Sequence, residues 1–189
     1  MNKYQFSLVL GPLSQANHEV EDALYEAGCD DSLLSFYAGT AVLDFTRAGN
    51  SYAKAVISAI KNVERANIGA VVVRVGPDDL VNAAEIAGRA SVSREAVRLW
   101  IQGKRGQGDF PPSVARVGKS SVWSWLDVSE WLFGREQIEK AVVESARFIA
   151  AVNLFLNQKR SRALASKLKF IESKLGGKPS TSSSTMAAN

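Results

Sequence analysis

The chain has one histidine, His18, and one cysteine, Cys29, among its 189 residues. A structural zinc site needs four nitrogen or sulfur ligands, so two such residues exclude one. A single cysteine likewise excludes an intrachain disulfide. A Cys–His nucleophile pair has no surrounding motif here: both residues border a predicted helix, His18 as an exposed start and Cys29 as a small buried residue. No paired acid–base constellation is present either, so the chain is read as a non-enzyme without metal or cofactor. No apolar run approaches about 18 residues, which predicts no transmembrane helix. The apolar patch in the opening MNKYQFSLVLGPLSQ is too short for a signal core, and a cytoplasmic location is expected.

The hydrophobic share, 46%, is ordinary and sufficient for a core. The net charge of +4 is spread unevenly. Residues 1–75 hold six Lys/Arg against eight Asp/Glu, residues 76–134 seven of each, and residues 135–189 ten against four. Within the balanced middle block, Arg89–Lys119 contains seven basic residues and only Glu95 and Asp109 as acids. Such clustering is the electrostatic footprint of a nucleic-acid face, although a solvated surface has the same composition.

From the N-terminus, Tyr4–Leu10 alternates weakly and ends at Gly11-Pro12, as a strand before a turn does. Asn17–Ala27 has helical spacing with Gly28 at its end. Ser32–Tyr37 and Thr40–Arg47 flank Ala38-Gly39 as a hairpin. Ser51 is a predicted cap for a helix over Tyr52–Arg65, and Ala70–Val75 is a β-branched strand. The order β-α-β-β-α-β predicts a ferredoxin-like domain over residues 1–76, a fold that by itself names no function. Thr40 and Val42 stand where an RNA-binding version places stacking aromatics, so RNA binding is not expected.

Val75–Asp79 is turn-rich and marks the expected domain boundary. Asn82, with Glu85 three residues on, predicts a capped helix to Arg89. Ser91-Val92 makes a turn, and Ser93 caps a second helix reaching Gln102. Ala96, Val97 and Trp100 face inward on it, and Arg94, Glu95, Arg98 and Gln102 face outward. Arg94 and Arg98 lie one turn apart, so both guanidiniums project from one side, as needed to reach phosphates and guanine edges in a major groove. An amphipathic surface helix would show the same spacing. Behind it, Gly103–Asp109 adds Lys104 and Arg105 on a glycine-rich loop. Val114–Val117 and Ser121–Trp125 form a predicted hairpin with Arg116 and Lys119 near its tip. Asp127 is read as the cap of a short final helix, with Trp123, Trp125 and Trp131 as the core of this block. Gly118-Lys119-Ser120 is not a P-loop, because position 113 is Ser rather than Gly.

AEIAGRASVSREAVRLWIQG, FPPSVA and SSVWSWLDVSEWL together resemble the winged helix-turn-helix of MerR-type and AlpA/excisionase-like DNA-binding proteins, over residues 80–132. The resemblance implies that the second helix reads the major groove and the wing contacts backbone. It assigns roles by position to Ser93, Arg94, Arg98, Lys104, Arg116 and Lys119. Ser91 departs from the usual Gly of the turn, Gly103–Asp109 is longer than the usual join, and Lys119 stands where Arg is common.

Arg135–Leu175 has no Gly or Pro, and it reads as one long helix or as two hinged within the polar Asn157–Arg162. Its apolar stripe is Ile138, Val142, Ile149, Val152 and Leu156, resumed at Leu164, Leu168, Ile171 and Leu175. Pairing in a homodimer is its expected use, with packing inside the chain as the alternative. Residues 176–189 read as a disordered tail. The expected fold class is thus α+β: a ferredoxin-like domain (1–76), a central winged helix-turn-helix (77–134), and a long C-terminal helix or helix pair (135–175). The expected function is a sequence-specific regulator of transcription, a homodimeric repressor on double-stranded DNA. Its DNA-contacting residues are Ser93, Arg94, Glu95, Arg98, Gln102, Lys104, Arg105, Arg116 and Lys119. The alternatives are an excisionase-like DNA-bending factor, or an antitoxin- or inhibitor-type module binding a second protein through residues 1–76 or 135–175.

Overall fold

The computed structural model describes residues 1–13, 15, 17–161 and 165–175. Arg162, Leu164 and the tail beyond Leu175, for which a hinge end, a stripe position and disorder were expected, lie outside them. The chain is mixed α+β, with seven helices and two antiparallel sheets among the described residues. It divides into two compact units, residues 1–156 and 157–189.

The first unit begins with β1 (Asn2–Gly11), α1 (His18–Glu26), β2 (Ser32–Tyr37), β3 (Thr40–Gly49), α2 (Tyr52–Ala66) and β4 (Val71–Gly76). The strands form one sheet in the order β2-β3-β1-β4. Register places Phe6 opposite Phe45, Leu8 opposite Leu43 and Leu10 opposite Ala41. Because side chains alternate across a strand, these six share one face, and all are buried there with Leu24 of α1 and Ala55, Val56, Ala59 and Val63 of α2. The alternate residues Gln5, Asp44 and Thr46 are exposed.

Local chemistry sets the helix ends. The Asn17 side chain accepts from the Val20 N–H, and Glu19 and Glu21 occupy the first turn of α1, where the helix dipole favours negative charge. The helix closes with Gly28 at φ +84°, its N–H bonded to the Tyr25 carbonyl and that of Cys29 to Leu24, a Schellman turn. A Cβ on Gly28 would also meet the Asn62 side-chain amide at 3.0 Å, so the positive φ and the close neighbour both favour glycine. That loop is tied to the sheet by Arg47, a buried cation on β3. Arg47 makes a two-pronged ion pair with Asp31 (2.7 and 2.8 Å), donates to the Gly28 carbonyl (2.6 Å) and to Ser58 Oγ (3.2 Å), and lies over the Phe45 ring.

The rest of the first unit comprises β5 (Leu80–Val81), α3 (Ala83–Arg89), α4 (Arg94–Ile101), β6 (Ala115–Val117), β7 (Ser120–Ser124), α5 (Trp125–Phe133) and most of α6 (Lys140–Arg160). The strands form a sheet ordered β5-β7-β6. β5 was not expected: the turn-rich join after β4 ends in a two-residue strand whose Val81 pairs with Trp123. A second apolar cluster gathers Val81, Ile86, Val97, Trp100, Trp123, Trp125, Val128, Trp131 and Leu132.

Three local expectations are corrected. Trp125 opens α5 rather than ending the hairpin, and its cap is Ser124, whose hydroxyl accepts from the Asp127 N–H at 3.2 Å; Asp127 sits in the first turn. Residues 135–139 are turn rather than helix, with Glu136 at φ +56°, so α6 starts at Lys140. α6 is described to Arg160, and α7 spans Ala165–Leu175. The stripe of α6 is covered by its own chain: Ile149 and Leu156 join the first cluster and Ala146 the second. Asn153, polar and absent from the expected stripe, is also buried. Its amide accepts from the Val75 N–H (2.8 Å) and donates to the Val75 carbonyl (3.0 Å), satisfying the outer edge of β4.

In the second unit, α7 exposes Leu168, Phe170, Ile171 and Leu175.

Candidate nucleic-acid interface

α3 and α4 are joined by a turn whose geometry follows from their caps. Asn82 and Glu85 form a reciprocal capping box at the start of α3. Its end is a Schellman turn in which Ser91, at φ +53°, occupies the left-handed position, while the Val92 N–H bonds to the Ala87 carbonyl. The Ser93 hydroxyl then accepts from the Ala96 N–H at 3.1 Å, starting α4. Thus Ser93, expected as a contact residue, is committed to the cap. α4 closes with the same device at Gly103, where glycine carries the positive φ.

α4 separates into two faces. Ala96, Val97 and Trp100 are buried; Arg94, Glu95, Arg98 and Gln102 are exposed. Arg98 is held along the helix: Nε donates to Glu95 at 2.7 Å, Nη2 to the second Glu95 oxygen, and Nη1 to Gln102 Oε1 at 2.9 Å. The Arg98 hydrogen bond holds the Glu95 carboxyl below its usual pKa, and the Glu95 carboxylate raises that of Arg98. An exposed pair of this kind is weak, because solvent screens it and side-chain entropy opposes it. Arg94 has no hydrogen bond or ion pair among the described residues, and the same holds for the side chains of Lys104, Arg116 and Lys119, all exposed. Lys119 sits in the β6–β7 turn, and Arg116 lies opposite Ser121 on β6. Arg105 rests 5.9 Å from the Trp100 ring centre, within cation–π range.

An aromatic chain fixes the hairpin to α4. Trp100 meets Trp131 edge-on (5.3 Å), Trp131 meets Phe110 (5.0 Å), and Phe110 meets Trp123 of β7 (6.2 Å). The glycine-rich loop after α4 is clamped at its base by Asp109, which the sequence shows only as one of two acids in a basic stretch. The Asp109 carboxylate accepts from both Arg135 Nη2 and Trp131 Nε1, and the Arg135 bond holds it below its usual pKa. Arg135 in turn lies 3.9 Å over the Trp131 ring. Its partner is 26 residues away, a separation that no local pattern encodes.

Arg89, counted with the basic cluster, does not join this exposed set. It is half-buried over the Trp125 ring and donates to the Asp78 carbonyl at 2.8 Å. Among the described residues no group of three His, Cys, Asp or Glu side chains is placed to hold a metal ion, and no helix is long and apolar enough to cross a membrane. No family model, curated protein or solved structure matches the chain.

Proposed function

We propose that the protein is a sequence-specific DNA-binding regulator of transcription, a homodimeric repressor that reads the major groove with α4. On this reading residues 77–134 are a winged helix-turn-helix of the MerR-type and excisionase-like kind, with β6–β7 as the wing. Residues 1–76 are a ferredoxin-like domain, in line with the β-α-β-β-α-β order and the strand order β2-β3-β1-β4.

The two-faced geometry of α4 carries the proposal. Three buried residues anchor the helix, and its other face offers Arg94, Arg98 and Gln102 to solvent, while Lys104, Arg116 and Lys119 of the following loop and hairpin are exposed as well. Docking such a helix needs side chains that are free or cheaply freed. Arg94 meets the first condition and Arg98, in an exposed ion pair, the second. Lys104, Arg116 and Lys119 supply phosphate contacts, which fix register rather than sequence. Pairing through the exposed apolar residues of α7 would present two such modules to a two-half-site operator. Occupancy of a promoter then suffices for repression.

Selection from a random duplex pool tests this. Enrichment of a sequence bound roughly 10³-fold or more above unrelated DNA at physiological salt is expected. Binding that is weak, salt-labile and equal for all duplexes would contradict it.

A further inference from the structure

A cleft of about 500 Å³ lies where the four-stranded sheet, α2, the end of α3, the start of α5 and α6 converge. This is the size of a small-molecule site. Its walls are largely apolar, formed by Tyr4, Tyr52, Trp125, Val142 and Ile149, with Arg89 as the cation among them. The surroundings of Arg89 are unusual. Its guanidinium stacks 5.0 Å from the Trp125 ring centre and gives one N–H to the Asp78 carbonyl, but no carboxylate bonds to it. Burial pushes its pKa down, and the charges of Glu85 and Asp78 offset this only in part. Both acids are engaged elsewhere, Asp78 with Arg74 and Glu85 with the Asn82 N–H. A partly desolvated cation that lacks its own counter-ion is stabilised by an incoming anion. The Tyr52 hydroxyl in the same wall is buried without a hydrogen-bond partner.

We propose that this cleft binds a small, flat, apolar anion, in chemical class an aromatic carboxylate. Its carboxylate sits on the free N–H groups of Arg89 and its ring lies against Trp125 and Tyr52. The site joins residues of both apolar clusters, so an occupant bridges the sheet, α3, α5 and α6. The inference does not rest on DNA binding.

Calorimetric titration of the full chain with 2-naphthoate and with its neutral amide, 2-naphthamide, tests it. The wild type is expected to bind one equivalent of the carboxylate at least about tenfold more tightly than the amide. Arg89→Gln removes that preference, and Ala141→Trp, at an exposed cleft position on α6, blocks both compounds. Equal affinity for acid and amide would overturn the proposal, as would carboxylate binding untouched by either variant or no saturable carboxylate binding below about 1 mM. If Arg89→Gln fails to fold, the acid–amide comparison and Ala141→Trp decide the matter alone.

Discussion

Replacing Asn153 by Leu keeps most of the side-chain volume and removes both hydrogen bonds to Val75. β4 lies at the edge of its sheet, and Val75 turns its N–H and C=O away from β1. The Asn153 amide is a peptide analogue in the right place, at 2.8 and 3.0 Å, and is 2% exposed. Its loss leaves two main-chain groups buried and unpaired at about 1–3 kcal/mol each, partly offset by added apolar packing. A net cost of about 2–4 kcal/mol is expected. That is a large part of the 5–15 kcal/mol typical of a whole domain. Urea unfolding should show the midpoint falling with little change in slope. Hydrogen exchange should show the Val75 amide protected in the wild type and fast in the variant. Asn153→Asp should be at least as harmful, since a carboxylate offers the carbonyl no donor and buries a charge. An Asn153→Leu variant within about 0.5 kcal/mol of wild type, with Val75 still protected, would refute this reasoning.

Other outcomes follow from single residues. Ser91→Gly relieves a left-handed φ of +53° and should stabilise the protein by about 0.5–1 kcal/mol after the entropy cost of glycine; a lower urea midpoint would contradict this. Burial pushes the Tyr52 phenol up from 10.0 to about 12. Its contribution to stability is therefore intact below pH 10 and lost as pH rises toward about 12. Unfolding free energy should fall more steeply with alkaline pH in the wild type than in Tyr52→Phe, and parallel curves would contradict this. At neutral pH the same variant, which removes an unpaired buried hydroxyl, should be at least as stable as the wild type; a lower urea midpoint would count against it.

Much of the fold was legible because it is local. Ser51, Asn82 and Ser93 announce helix starts through their own side chains, and three buried positions on α4 follow from 3.6-residue spacing. The four long strands show through alternation and turn residues. Features that join distant residues were hidden. β5 is two residues long and exists only by pairing with β7. The Arg47–Asp31 and Asp109–Arg135 pairs join residues 16 and 26 positions apart across intervening secondary structure. The α6 stripe showed that a face needs cover without saying by what, and Asn153 within it reads as polar surface until Val75 is placed beside it. At the candidate interface, exposure of Arg94, Arg98, Lys104, Arg116 and Lys119 was foreseeable. The diversion of Ser93 to a cap, the Glu95–Arg98–Gln102 chain and the withdrawal of Arg89 toward Trp125 were not, because each depends on rotamers and neighbours.

The most direct test of DNA reading by α4 is equilibrium binding to an enriched duplex and to a scrambled one across a salt series. The Arg94→Ala/Arg98→Ala and Arg116→Ala/Lys119→Ala double variants are compared with the wild type. The first should lose discrimination between the duplexes by about a hundredfold. The second should weaken binding to both duplexes alike and reduce the salt slope by about 2. Full discrimination retained without Arg94 and Arg98 would contradict the central claim.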